Sequence, residues 1–398
     1  MKRKHKGRKI YKTKEKNYYG KSPLGKFLSG VLTVLLIGGI GFIGYSVAEP
    51  IINYTQHKGD EPETSADEPE ETTSTEEAES TTATVPSGEE KLASEKYKAA
   101  ALTVNDLASI NDLRRALGAV PSGDGIEFVE VPLKARGGYI YYSTTNSEAR
   151  SAGAVQSSLS LSQITAEIKE SGYRPAAVIS TFYDNVLPAV YPDSGYVTYA
   201  DGSQWIDDDL SNGGKPWTSP YSQRTLDYLA EIVGEVSSSG FERIICSDFV
   251  YPYFRQSDLA ILDEQLGRSD RFMALTSAAN LLYDRSVSNG VSMYIEVSAT
   301  DILRGGGDVL QPMLLSANTV VVNIDVEELQ YGVSDGHTLY EFSGTPAEIT
   351  DKCLGFVSER LSDFNVAVRI SGSGATAQEL LKAKEKIADY GYKSFVIG

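Results

Sequence analysis

From residue 99 onward, short apolar runs alternate with longer amphipathic stretches. The runs are 99–104 (AAALTV), 126–133 (IEFVEVPL), 176–181 (AAVIST), 243–248 (RIICSD), 291–297 (VSMYIEV), 319–325 (TVVVNID), 366–371 (VAVRIS) and 394–397 (SFVI). Between them, 107–117, 161–171, 222–238, 270–288 and 377–390 repeat apolar residues at helical spacing. Buried strands alternating with helices predict a parallel sheet covered by helices. Eight such units in about 300 residues fit the α/β class as a closed (β/α)8 barrel, whose usual size is about 250 residues plus insertions. The open doubly wound sheet is the competing architecture. It is disfavoured because Val104 is followed by Asn105-Asp106-Leu107, with no glycine-rich turn of the dinucleotide-binding kind.

The first 94 residues follow other rules. Residues 1–26 carry eleven Lys or Arg against the single acid Glu15, and 27–48 (FLSGVLTVLLIGGIGFIGYSVA) hold no charge at all. A span of about 20 apolar residues matches the bilayer core. The basic flank predicts a cytoplasmic N-terminus and an extracytoplasmic remainder, a single-pass signal anchor in the cell membrane. A cleaved signal peptide is the alternative, since Ser46-Val47-Ala48 has the small residues of a cleavage site. Segment 49–94 is rich in Glu, Ser and Thr and nearly free of apolar residues after Gly59, so it predicts a disordered acidic linker. The expected organisation is therefore a tail (1–26), an anchor (27–48), a stalk (49–94) and a barrel (95–398).

Composition narrows the chemistry. The 398 residues include 37 basic and 54 acidic side chains, a formal charge of −17. That excess argues against a nucleic-acid partner, which needs a clustered basic face. Three histidines, His5, His57 and His337, are too few and too scattered for a histidine metal site or a Ser-His-Asp triad, so no metal or cofactor is expected. The two cysteines, Cys246 in a strand run and Cys353 in a helical stretch, are expected as buried thiols. Protein partners are not indicated by any motif.

Carboxylates remain. In a barrel of this type the chemistry sits where strands run into loops at the C-terminal face. Glu130, Asp184, Asp248, Glu296 and Asp325 stand at or after successive strand ends, with Arg369 in the seventh run. Asp106 and Asp301 read instead as helix caps. The loop 183–221 holds both tryptophans, Trp205 and Trp217, together with Tyr183 and Tyr221; Tyr141 and Tyr251 lie in the neighbouring loops. Flat rings with polar tips suit sugars, although such rings also build a loop's own small core.

The segment 217–252 (WTSPYSQRTLDYLAEIVGEVSSSGFERIICSDFVYP) resembles a glycoside hydrolase-like barrel family of bacterial extracellular proteins, distantly akin to amylase-type barrels. Trp217, Pro220, Tyr221, Tyr228, Ile232, Glu235, Gly240, Phe241 and Pro252 fall on its pattern without a gap, and Phe182 and Asp184 resemble its Phe-x-Asp after the third strand. The resemblance implies a carbohydrate substrate or ligand, with Asp248 as nucleophile, Glu296 as general acid and Asp325 as a sugar-orienting group. From the strand ends and the aromatic loops, Glu130, Tyr141, Tyr183, Asp184, Trp205, Trp217, Tyr221, Tyr251 and Arg369 are the expected substrate contacts. One departure bears on catalysis. The family's fourth-strand Asp falls on Ser247, and strand parity sends Asp248, one residue late, to the opposite face unless the strand ends or bulges there. Two further classes stay open: a carbohydrate-binding barrel that has lost catalysis, and a structural component of a cell-envelope assembly.

Overall fold

The computed structural model describes residues 96–121, 125–262, 266, 271–305, 309–312, 314–362, 364–372 and 376–397. The expected tail, anchor and stalk lie outside the described residues. Among the described residues no helix is long and apolar enough to cross a membrane.

The eight apolar runs form eight strands: β1 (Lys98–Ala101), β2 (Phe128–Lys134), β3 (Arg174–Ser180), β4 (Arg243–Ser247), β5 (Ser292–Ser298), β6 (Thr319–Asp325), β7 (Asn365–Ser371) and β8 (Ser394–Ile397). Each pairs in parallel with the next, and β8 pairs with β1, closing the barrel. The amphipathic stretches become α1 (Ile110–Ala119), α2 (Leu161–Glu170), α3 (Gln223–Ser237), α4 (Arg271–Val287) and α6 (Ala377–Asp389), with α5 (Pro346–Val357) between β6 and β7. Their starts follow from sequence. Ser109, Ser160, Ser222, Thr345 and Thr376 each accept a hydrogen bond from a backbone N–H in the first helical turn. At three of them the residue three positions on, Gln163, Glu348 or Glu379, reaches back to close a capping box.

Strand alternation sorts two cores. Residues such as Ala99, Phe128, Ala176, Ile245, Tyr294, Val321, Ala367 and Val396 meet inside the barrel. Their neighbours, Val129, Ile244, Cys246, Ile295, Val322 and Val368, join the helix residues Ile164, Ile232, Leu282 and Leu354 in the outer layer. Burial on both faces is why the strands read as nearly continuous apolar runs. Cys246 and Cys353 are buried free thiols, as the sequence suggests.

Two irregularities shape the rim. In β2 the register against β3 slips between Pro132 and Lys134. Beyond the slip Lys134 belongs with the outer layer, its Nζ 5.9 Å from the Tyr228 ring centroid on α3. In β4 the strand stops at Ser247, and Asp248 takes φ = 59°, left-handed backbone rare for a residue with a side chain.

Candidate active site at the barrel rim

The left-handed turn at Asp248 answers the question of strand parity. The carbonyls of Ser247 and Asp248 accept from the N–H groups of Thr181 (3.0 Å) and Phe182 (3.1 Å), so pairing between the two chain segments continues past the end of β4. The Thr181 hydroxyl donates to the same two carbonyls. Held this way, Asp248 turns its carboxylate back over the barrel mouth. Oδ1 accepts from Arg136 Nε at 2.7 Å, and Oδ2 accepts from the Ser247 hydroxyl at 3.2 Å.

Glu296 projects inward from β5, and its Oε2 accepts from Arg369 Nε on β7 at 2.8 Å. Burial pushes its carboxyl above the usual glutamate range; Arg369 opposes that push, while the negative charges of Asp248 and Glu130 add to it. Asp248 and Glu296 line one cleft of about 160 Å³ together with Arg136, Asp301, Asp325 and Glu328. Asp325 is the N-cap of the short helix Val326–Leu329: its Oδ1 accepts from the N–H groups of Glu327 and Glu328, both at 3.0 Å. The three carboxylates expected to carry chemistry are therefore brought together, one of them also holding a helix start.

The expected substrate contacts divide. Tyr183 and Trp217 stack face to face, with ring centroids 4.4 Å apart at 8°, and Arg136 lies 5.7 Å from the Tyr183 ring. The Trp217 indole N–H donates to Asp207 at 2.8 Å. This half-buried pair adjoins the cleft through Arg136. Trp205, only 5% exposed, packs with Tyr196, Leu262 and Leu266 in the loop's own cluster. Tyr221 and Tyr251 border that cluster, their hydroxyls 3.2 Å apart. Tyr141 packs half-buried against the main core and does not line the cleft.

Glu130, Asp184 and Arg369 are held by partners of opposite charge. Glu130 is wholly buried inside the barrel, paired with Arg369 Nη2 at 2.7 Å and accepting from the Tyr97 hydroxyl at 2.8 Å. Arg369 spends its guanidinium on Glu130 and Glu296. Asp184 is paired with Lys134 at 2.9 Å, both buried, and its Oδ1 accepts from the N–H groups of Val186 and Leu187. Burial without a pairing charge is costly, and these partners supply it.

Three rim residues fall outside the sequence-derived set. Arg136, two residues past β2, pairs with Asp248 and lines the cleft. Asp301, read as a cap, lies inside the first turn of helix Ala299–Arg304, where Ser298 is the N-cap, and it faces the cleft. Glu328 sits three positions after Asp325 in Val326–Leu329, a spacing that places both near one helix start. Among the described residues no group of His, Cys, Asp or Glu could hold a metal ion.

A family model described as "Putative glycosyl hydrolase domain" matches residues 101–299. The glycoside hydrolase domain of PgaB (BpsB) from Bordetella bronchiseptica has a similar fold, with a TM-score of 0.51 at 13% identity over 76% of this chain and 93% of that one. A hypothetical protein from Ruminiclostridium thermocellum ATCC 27405 matches at 21% identity and a TM-score of 0.41, over 49% of this chain and 95% of its own. The catalytic domain of β-amylase from Paenibacillus polymyxa gives 10% identity and a TM-score of 0.46, over 76% and 92%. No curated protein sequence matches the chain.

Proposed function

Because the chain belongs to the family of the "Putative glycosyl hydrolase domain", we propose that its rim cleft hydrolyses a glycosidic bond, with Asp248 as nucleophile and Glu296 as general acid. The observation that carries this reading is the contrast between two carboxyls on one cleft. Asp248 is ion-paired to Arg136 at 2.7 Å. Glu296 is buried and holds its proton to higher pH. One carboxyl ion-paired to an arginine and one that keeps its proton to higher pH, facing the same cleft, suit the nucleophile and acid roles.

The reaction follows from those states. Protonated Glu296 gives its proton to the glycosidic oxygen as the bond from that oxygen to the anomeric carbon breaks. The Asp248 carboxylate forms an ester with the anomeric carbon. Glu296, now an anion, removes a proton from water, whose oxygen attacks the anomeric carbon and breaks its bond to the Asp248 carboxylate, which leaves as the anion. β4 and β5 are adjacent strands, which suits the short carboxyl separation, about 5 to 5.5 Å, of this double displacement. Asp325 and the Tyr183–Trp217 stack would orient the sugar at the cleft edge.

The substrate fits a cell-envelope or environmental polysaccharide, because the charge order of residues 1–94 supports a barrel held outside the membrane on an acidic stalk. A second reading, a barrel that binds carbohydrate without cleaving it, is favoured by Ser247, which stands where the resembling family has its fourth-strand Asp. The full chain, incubated with a panel of polysaccharides while reducing ends and binding are followed together, separates the two. Turnover lost in Asp248→Asn and in Glu296→Gln supports the hydrolase. Binding without turnover, unchanged in Glu296→Gln, supports the second reading.

A further inference from the structure

Beneath the cleft lies a charged column that the reaction above does not use. Arg369 stands between two carboxylates, its Nε on Glu296 Oε2 at 2.8 Å and its Nη2 on Glu130 Oε2 at 2.7 Å. Glu130 does not line the cleft and has no exposed surface, and its other oxygen is held by Tyr97 at 2.8 Å. Nothing in sheet geometry calls for a second acid there. An apolar residue at 130 would fill the interior as Phe128 does two positions earlier, and would leave Arg369 wholly to Glu296.

We propose that Glu130 is a positioning residue for Glu296, acting through Arg369: by occupying one arm of the guanidinium it leaves Glu296 half a counter-ion and so keeps it a proton donor. The inference rests on the acid role given to Glu296 above. One positive charge serves two carboxylates, so the set Glu130–Arg369–Glu296 is neutral when a single proton is held. Glu296 is the carboxyl that holds a proton to higher pH, through its burial and the negative charges of Asp248 and Glu130 beside it.

The other ionisable groups around Glu296 are already matched. From the end of β4 come Asp248 and its partner Arg136. Deeper in the barrel, Arg243 donates to the Tyr294 hydroxyl at 3.1 Å. Across the cleft, Asp301 pairs with Arg304 at 3.6 Å and Asp325 caps its helix; Glu328 is the remaining acid on that wall.

The test is the alkaline limb of the pH–rate profile of the full chain, which reports loss of the proton from Glu296. Glu130→Gln frees the guanidinium for Glu296 and should move that limb down by about one pH unit. Arg369→Lys keeps the charge but cannot hold both carboxylates in a fork, and should move the limb up. Opposite shifts support the proposal. A uniform fall in rate with both limbs in place overturns it, because a packing role alone would do that. Carboxyl 13C titration of the same proteins, with the Glu296 resonance identified by its loss in Glu296→Gln, separates the two claims. A chain that cleaves nothing while this titration still moves with Glu130→Gln defeats the hydrolase reading and keeps the coupling. A titration that stays put defeats the coupling whatever the activity.

Discussion

Arg136 Nε donates to Asp248 Oδ1 at 2.7 Å across 112 positions of sequence, joining the loop after β2 to the end of β4. Asp248 makes this contact from left-handed backbone, φ = 59°. For an ordinary side chain that conformation costs roughly 1 to 2 kcal/mol, less for Asp or Asn and nothing for Gly. Asp248→Gly should therefore leave thermal unfolding nearly unchanged while abolishing turnover. Asp248→Val should do both harms, lowering stability by about 1 to 2 kcal/mol. Equal stability losses in the two variants would show that the backbone at 248 is not strained.

The Lys134–Asp184 pair makes a different demand. Both side chains are buried at 2.9 Å, with Lys134 Nζ also donating to the carbonyl of Ser180 and Asp184 Oδ1 capping the helix Val186–Val190. Removing one partner strands a buried charge, and Lys134→Met should cost about 3 to 5 kcal/mol in denaturant unfolding. The double variant Lys134→Met/Asp184→Asn should recover part of that loss. Additive losses would mean that the charges do not interact. Gly138→Ala should be destabilising for a related reason: its φ is +97°, and a Cβ there would lie 2.0 Å from Asp184 Oδ1.

Much of the barrel was legible in the chain. The run 319–325 became β6 residue for residue, and 222–238 became α3 within one residue of each end, because burial on both faces or on one stripe leaves an unmistakable period. The rim was legible in part. Asp248, Glu296 and Asp325 meet in one cleft as strand-end logic expects. What parity could not show was the turn at Asp248, since a single left-handed residue has no periodic signature. Glu130, Asp184 and Arg369 read as ligand contacts because they stand at or near successive strand ends. In the structure each charge answers another, a pairing between strands and loops far apart in sequence. Trp205 and Trp217 look alike as letters, and only packing sends one inward.

That last difference is open to test. Trp205→Ala removes a ring wedged against Tyr196 and Phe254, at centroid distances of 5.9 and 4.9 Å, and should cost about 3 to 5 kcal/mol or release the loop to protease. Trp217→Ala loses the stack on Tyr183, worth about 0.5 to 1.5 kcal/mol, with the hydrogen bond to Asp207 and a half-buried contact with the loop cluster. It should weaken carbohydrate binding more than stability. A reversed order of stability losses would undo the assignment of Trp205 to the loop core.

The raised carboxyl of Glu296 also links stability to pH. The native state holds this proton to higher pH than the unfolded chain does, so the contribution is full below the ordinary glutamate range and is lost as pH rises through the raised value. Unfolding free energy should fall over that interval, and Glu296→Gln should flatten the fall. An unchanged slope in the variant would place the titrating group elsewhere.

The most direct measurement follows reducing ends released from a polysaccharide panel by the full chain, the Glu296→Gln chain and, as a control on the exposed face of α6, the Glu385→Gln chain. If Glu296 is the proton donor, cleavage by the intact protein falls by about 10² to 10⁴ in Glu296→Gln. In Glu385→Gln it changes little, and binding persists in all three. Cleavage that survives in Glu296→Gln, or that is lost equally in both variants, would contradict the assignment of the acid.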